Sequence, residues 1–175
     1  NCPYYILKAS NEVMNMGNIN CNPKAIAYVR GGPLAPEIYG TVTFEDVPGG
    51  TMVFANFVGL PQYKPPTGNQ PPIGPHGFHI HEHGNCRIGD PQDPFLAAGG
   101  HWNPHNQPHG NHAGDLPVLF SNNRRARMCF FTDKFKPHQV VGKSIVIHQN
   151  PDDYRSQPAG NAGKRLACGV IEAIL

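Results

Sequence analysis

From Glu82 to Asp115 the chain runs for 34 residues without a regular hydrophobic period, among Gly, Pro, Asn and His, and this stretch constrains the fold more than any other. A connection of that length is rare inside a compact domain unless something other than packing orders it. A metal or a disulfide can supply that order. Both kinds of residue are at hand, since the 175 residues include ten histidines and five cysteines.

On either side of this stretch, apolar and polar residues alternate with period two, the pattern of strands with one buried face. Lys24 to Arg30 predicts a first strand. Gly40 to Glu45 predicts a second, with Val42 and Phe44 on one face, and Thr51 to Val58 a third, with Val53, Ala55 and Phe57 inward. A Pro-rich connection, Pro61 to Pro75, leads to Phe78-His79-Ile80-His81. Beyond Asp115, Leu116 to Phe120 and Arg125 to Phe131 read as a hairpin around Ser121-Asn122-Asn123, with Ala126, Met128 and Phe130 inward. Ser144 to Gln149 and Cys168 to Leu175 complete about eight strands. No long helical period appears, so an all-β antiparallel barrel or sandwich is expected. Gly 20 and Pro 19 fit many turns, while 39% hydrophobic residues suffice for a core. The length predicts one domain over 1–175.

A net charge of +2, with basic residues scattered apart from Arg124, Arg125 and Arg127, gives no nucleic-acid footprint, and that cluster reads as a solvated hairpin. No run of eighteen apolar residues predicts a membrane span. The start at Asn1 has no charged segment followed by an apolar one, which fits either a protein made without a signal peptide or a mature product. None of the cysteines, Cys2, Cys21, Cys86, Cys129 and Cys168, forms a C-x-x-C pair, which argues against a thioredoxin-like motif or a thiolate zinc knuckle.

Alternation carries chemistry at Phe78 to His81. Phe78 and Ile80 point one way, and His79 and His81 the other, about 6–7 Å apart along the strand, close enough for two imidazoles to meet at one metal. An H-x-H pair alone is weak evidence. His101, His109, His112 and Asp115 strengthen it, because H-x7-H-x2-H-x2-D within one loop gives three imidazoles and a carboxylate, a complete four-coordinate set for zinc. Metal binding there would also order the loop, since binding energy becomes folding energy. His148 lies on the face opposite Ile145 and Ile147. His79, His81, His148 and one loop histidine would satisfy copper, which favours imidazole nitrogen in tetragonal geometry.

Four motifs in register, Gly77-Phe78-His79-Ile80-His81-Glu82, Gly99-Gly100-His101-Trp102-Asn103-Pro104, His112-Ala113-Gly114-Asp115-Leu116 and Gly160 to Ile171, resemble the Cu,Zn superoxide dismutase family, in its bacterial-like, extracytoplasmic form. The resemblance runs from about Lys24 to the C-terminus and leaves 1–23 as an extension of weak resemblance. It implies an eight-stranded antiparallel Greek-key β-barrel with long metal-binding and active-site loops. It implies copper on His79, His81, His101 and His148, and zinc on His101, His109, His112 and Asp115, with His101 bridging both ions. The implied activity is disproportionation of superoxide to dioxygen and hydrogen peroxide by copper redox cycling around a structural zinc. Asp152 matches the carboxylate that hydrogen-bonds His79 and His109. Arg165 matches the anion-guiding residue, with Lys164 or Lys143 as further sources of steering. Cys86 and Cys168 match the intrasubunit disulfide; Cys2 and Cys21 are expected to form a second bridge, and Cys129 is assigned no role. His76 matches a hydrogen-bonded structural histidine, whereas His83, His105 and His138 receive no role. Trimmed loops favour export to an extracytoplasmic location, and the assembly expected is a monomer or a homodimer. A relative that binds metal without turnover would lack a copper histidine or the arginine, and this chain has all of them.

Overall fold

Most segments that alternate in sequence are strands in the computed structural model, which describes residues 23–174. They are β1 (Pro23–Gly31), β2 (Tyr39–Val47), β3 (Gly50–Val58), β4 (Phe78–His81), the two-residue pair β5 (Gly89–Asp90) and β6 (Asp93–Pro94), β7 (Arg125–Thr132), β8 (Ser144–His148) and β9 (Arg165–Ala173). Seven of them form one antiparallel sheet in the order β4-β8-β9-β1-β2-β3-β7. The chain leaves β3 near one edge and enters β4 at the other, and it returns the same way from β7 to β8. These crossings give the Greek-key path.

The sheet curls because both of its wings carry apolar residues on the same face. Val42, Phe44, Val53 and Phe57 from one wing pack with Phe78, Ile80, Ile145 and Ile147 from the other in a single buried cluster. Burial at roughly 25 cal/mol per Å² of apolar surface is the main favourable term in such a core. Helical residues, among those described, are limited to a 3-10 turn at Leu96–Ala98 and the four-residue helix α1 (Pro137–Val140).

Two expectations are corrected. Leu116 to Phe120 is not a continuous strand, because Pro117 has no N–H to give a ladder. Isolated bridges hold it instead: Asp115 to His79, Leu119 to His76, and Asn122 to Arg125. The segment still spans from the β4 edge to the β7 edge, and Leu116 and Leu119 are buried in the core, so it occupies the place of the eighth strand. The last strand begins at Arg165 rather than Cys168, since Arg165 and Ala167 already pair with His148 and Ile147.

A disulfide joins Cys86 to Cys168, 82 residues apart, and fastens the start of the long loop to β9. Beneath it Phe95, Ala98 and Val146 form a small second apolar cluster. Cys129 is half-buried on β7. Cys2 and Cys21, with most of the expected extension, lie outside the described residues. No helix among the described residues is long and apolar enough to cross a membrane.

Candidate metal centre

On β4 and β8 every residue is buried, including the outward-facing ones. Phe78, Ile80, Ile145 and Ile147 fill the barrel, while His79, His81 and His148 lie on its outside under the long loops. Three backbone hydrogen bonds form a ring that draws the loop onto β4. Ile80 N–H donates to Gly114 O (2.9 Å), Trp102 N–H to Ile80 O (2.8 Å), and Gly114 N–H to Trp102 O (2.9 Å). Ile80 sits between His79 and His81, Trp102 follows His101, and Gly114 precedes Asp115. One ring therefore registers all three histidine-bearing segments. A Cβ at Gly114 would run into the Ile80 carbonyl, so the approach requires glycine.

Two groups of donor atoms result. One ligating atom each from His79, His81, His101 and His148 lie within 4.8 Å of one another, and the same holds for His101, His109, His112 and Asp115. His101 belongs to both.

The atoms that face inward are fixed by hydrogen bonds on the opposite sides of the rings. Asp152 accepts from Nε2–H of His79 (2.6 Å) and Nε2–H of His109 (2.8 Å), which leaves each Nδ1 with a free lone pair. Gly99 O accepts from His81 Nδ1–H (2.9 Å) and Gly163 O from His148 Nδ1–H (3.2 Å), which leaves each Nε2 free. These two Nε2 atoms then face each other at 3.2 Å. Two lone pairs so close repel unless a cation or proton lies between them. In the second group, Nδ1 of His101, His112 and His109 converge on the Asp115 carboxylate at 3.0, 3.3 and 3.4 Å. Among the described residues five buried side-chain polar atoms lack a hydrogen-bond partner, and four are His79 Nδ1, His101 Nε2, His109 Nδ1 and His112 Nδ1. Buried polar atoms are rarely left unpaired. These donors fit divalent ions.

Burial keeps the imidazoles of His79, His81 and His148 neutral, as metal ligation requires. It is the main cause holding His79 and His81 well below the ordinary value, with neighbouring His148 and His101 adding repulsion. The same burial brings His148 to about 3. Burial opposes ionisation of Asp115, but the His101 hydrogen bond and the His109 ring beside it outweigh that and hold its carboxyl at about 2.

Asp152 starts a turn-rich segment between β8 and β9. Its neighbour Asp153 accepts from Ser156 Oγ (2.6 Å) and from N–H of Arg155 and Ser156, which hold its carboxyl well below the usual range. Gly160, at φ 64, packs so closely on Asp152 and His109 that no Cβ fits.

An open cavity of about 440 Å³ reaches the first group, lined by His81, His101, His148, Asp93, Gln157 and Arg165, among others. Arg165 donates to Phe95 O (2.6 Å) and Gly99 O (2.7 Å), which fixes its guanidinium. Lys143 and Lys164 are engaged elsewhere, Lys143 over the Trp102 ring and Lys164 on Gln92 O. His76 is buried with its ring nitrogens facing His148 O and Pro61 O, while His83 is exposed.

The copper/zinc superoxide dismutase model matches residues 38–171. The chain belongs to the copper/zinc superoxide dismutase family. It is 42% identical over 155 residues to a superoxide dismutase [Cu-Zn] of Deinococcus radiodurans, covering 79% of each chain. It is 36% identical over 150 residues to superoxide dismutase [Cu-Zn] 2 of Aquifex aeolicus, covering 77% of this chain and 80% of that one. Against the extracellular superoxide dismutase [Cu-Zn] of Caenorhabditis elegans it is 32% identical over 170 residues, covering 86% and 70%. A solved structure of a double mutant of a SOD-like protein from Bacillus subtilis superposes with TM-score 0.66 and 26% identity, over 83% of this chain and 95% of that one.

For this dismutase-family chain, sequence reasoning did not single out the groups that hold Arg165. Phe95, at φ 66, turns its carbonyl to the guanidinium. A bulky residue in the left-handed region is uncommon and carries no sequence signal. Gly99, at φ 79, had one, since a Gly-Gly pair marks backbone that needs such a conformation.

Proposed function

We propose that this chain disproportionates superoxide, with copper on His79, His81, His101 and His148 and zinc on His101, His109, His112 and Asp115. The observation that carries the reading is the membership of His101 in both donor groups. The chemistry of each set supports the division. Four imidazoles beside an open cavity suit copper, whereas three imidazoles and a carboxylate suit a closed zinc site.

Bound copper would supply a one-electron couple, through which two superoxide ions and two protons become dioxygen and hydrogen peroxide. The protein's own work is to bring in a small anion, hold the rings and manage the protons. Arg165 keeps a fixed cation in the cavity wall; burial lowers its pKa, yet a guanidinium stays charged at neutral pH. A cation recessed in a low-dielectric wall attracts small anions and can raise their association rate at low salt. His101 Nε2 is buried and otherwise unpartnered, so it can hold a proton and pass it to the peroxide. Asp152 orients one ring from each group, and such partners fix tautomers and raise ligand basicity.

The proposal takes residues 1–175 as one domain and its location as extracytoplasmic. The Cys86–Cys168 disulfide and the extracellular relative from Caenorhabditis elegans support that location.

Stopped-flow decay of superoxide on protein loaded with both metals tests the function. Decay should be fast and near the diffusional range of 10⁸–10⁹ M⁻¹s⁻¹ given for efficient enzymes, and absent with zinc alone. Slow decay in protein carrying both metals would overturn the reading. Arg165→Ala should lower the rate about tenfold and flatten its dependence on ionic strength; an unchanged rate removes the steering role.

A further inference from the structure

We propose that Tyr154 and Gln157 are positioning residues that clamp the two ends of the His109 to Asp115 loop. This inference rests on the zinc reading above and deepens it.

The loop makes little regular structure of its own. Within it, Asp115 Oδ2 accepts from N–H of Gly110 and His112, both at 2.9 Å. Three ring nitrogens must nevertheless be held around one carboxylate, so their geometry has to be set from outside. From Asp115 to Leu119, bridges join this segment to His79 of β4 at Asp115 and to His76, just before β4, at Leu119. Pro117 interrupts the ladder between them. The Tyr154 hydroxyl fills that gap, donating to Leu116 O (3.0 Å) and accepting from Val118 N–H (2.9 Å). One hydroxyl thus serves the groups on both sides of the proline, as a neighbouring strand would. Burial raises the Tyr154 pKa, opposed by the Val118 N–H, so the phenol stays a donor at neutral pH.

At the upstream end Gln157 makes the corresponding contact with His109. Its Oε1 accepts from His109 N–H (2.8 Å) and its Nε2 donates to His109 O (3.3 Å). Both backbone groups of one residue are taken, as in a hydrogen-bonded pair of an antiparallel sheet. Between the clamps, Gly110 lies against the Tyr154 carbonyl with no room for a side chain. Tyr154 itself adopts φ 54, and its N–H donates to Asp152 Oδ1 (2.7 Å). A bulky residue keeps that conformation only where its surroundings over-determine it. Gln157 also lines the cavity beside Arg165. The segment that clamps the loop is therefore also a wall of the anion path.

The test uses the full chain with Tyr154→Phe, which keeps the ring, and Gln157→Ala. Zinc affinity is measured by chelator competition, cobalt(II) absorption reports the geometry of the same site, and copper affinity serves as the internal reference. Each variant should bind zinc about tenfold more weakly or worse, as for other groups that orient ligands. Its cobalt bands should shift, with copper affinity within about twofold of the unaltered chain. A purely structural role would lower thermal stability without moving the cobalt bands. Unchanged zinc affinity in either variant, or equal losses of zinc and copper affinity, would overturn the two-ended clamp while leaving the zinc reading intact. An unaltered chain that binds no zinc would overturn both.

Discussion

Asp152 carries two imidazoles on one carboxylate, one ring N–H per oxygen, and the oxygen that serves His109 also takes the Tyr154 N–H. An amide has a single acceptor oxygen, and its NH₂ would face the second ring N–H. Asp152→Asn should therefore release either His79 or His109 and weaken metal binding about 10- to 100-fold, read by chelator competition. Protons act on the same rings. The unfolded chain takes up protons at the ordinary histidine value of 6.5, while the folded chain excludes one from His148 down to about 3. Between these values the unfolded state binds more protons, so stability falls as pH falls through that window. Metal-free protein should show a declining Tm from about pH 6.5 downward; a flat profile would mean that the buried rings protonate without cost. His79, His81 and His148 were legible in the sequence because period two assigns each residue to a face. Asp152 was not legible from spacing, since Pro151-Asp152-Asp153 reads equally well as an ordinary turn.

At the scale of elements, two devices hold the aperiodic loop against the barrel: the ring of hydrogen bonds among Ile80, Trp102 and Gly114, and the Cys86–Cys168 disulfide. Closing 82 residues removes chain entropy from the unfolded state. Cys168→Ser should cost about 2–5 kcal/mol in denaturant titrations. A loss well below that range would show that packing at Phe95 and Val146 holds the loop unaided. The strands were readable wherever one face is apolar and the other polar. Leu116 to Phe120 shows the limit of that rule. Its leucines point to the core as a strand's would, yet Pro117 breaks the ladder, and the hydroxyl that repairs it comes from Tyr154, 36 residues away along the chain. No local pattern announces a partner that distant.

Across the whole molecule the barrel acts as a rigid wall, and the loops bring the remaining donors to it. β4 and β8 pair directly, so His79, His81 and His148 are fixed by the sheet itself, whereas His109, His112 and Asp115 depend on the loop and its ties. Loss of metal should thus be felt unevenly, with the loop side relaxing and the strand side persisting. The meeting of the two sides at His101 is the feature on which the function rests, and the sequence alone did not require it; spacing left the fourth copper imidazole as any loop histidine. The most direct measurement is the copper and zinc content of His148→Ala after loading with both ions. His148 touches only the first group, so the variant should lose copper and retain about one zinc per chain. A variant that kept copper and lost zinc would contradict the division of the site at His101.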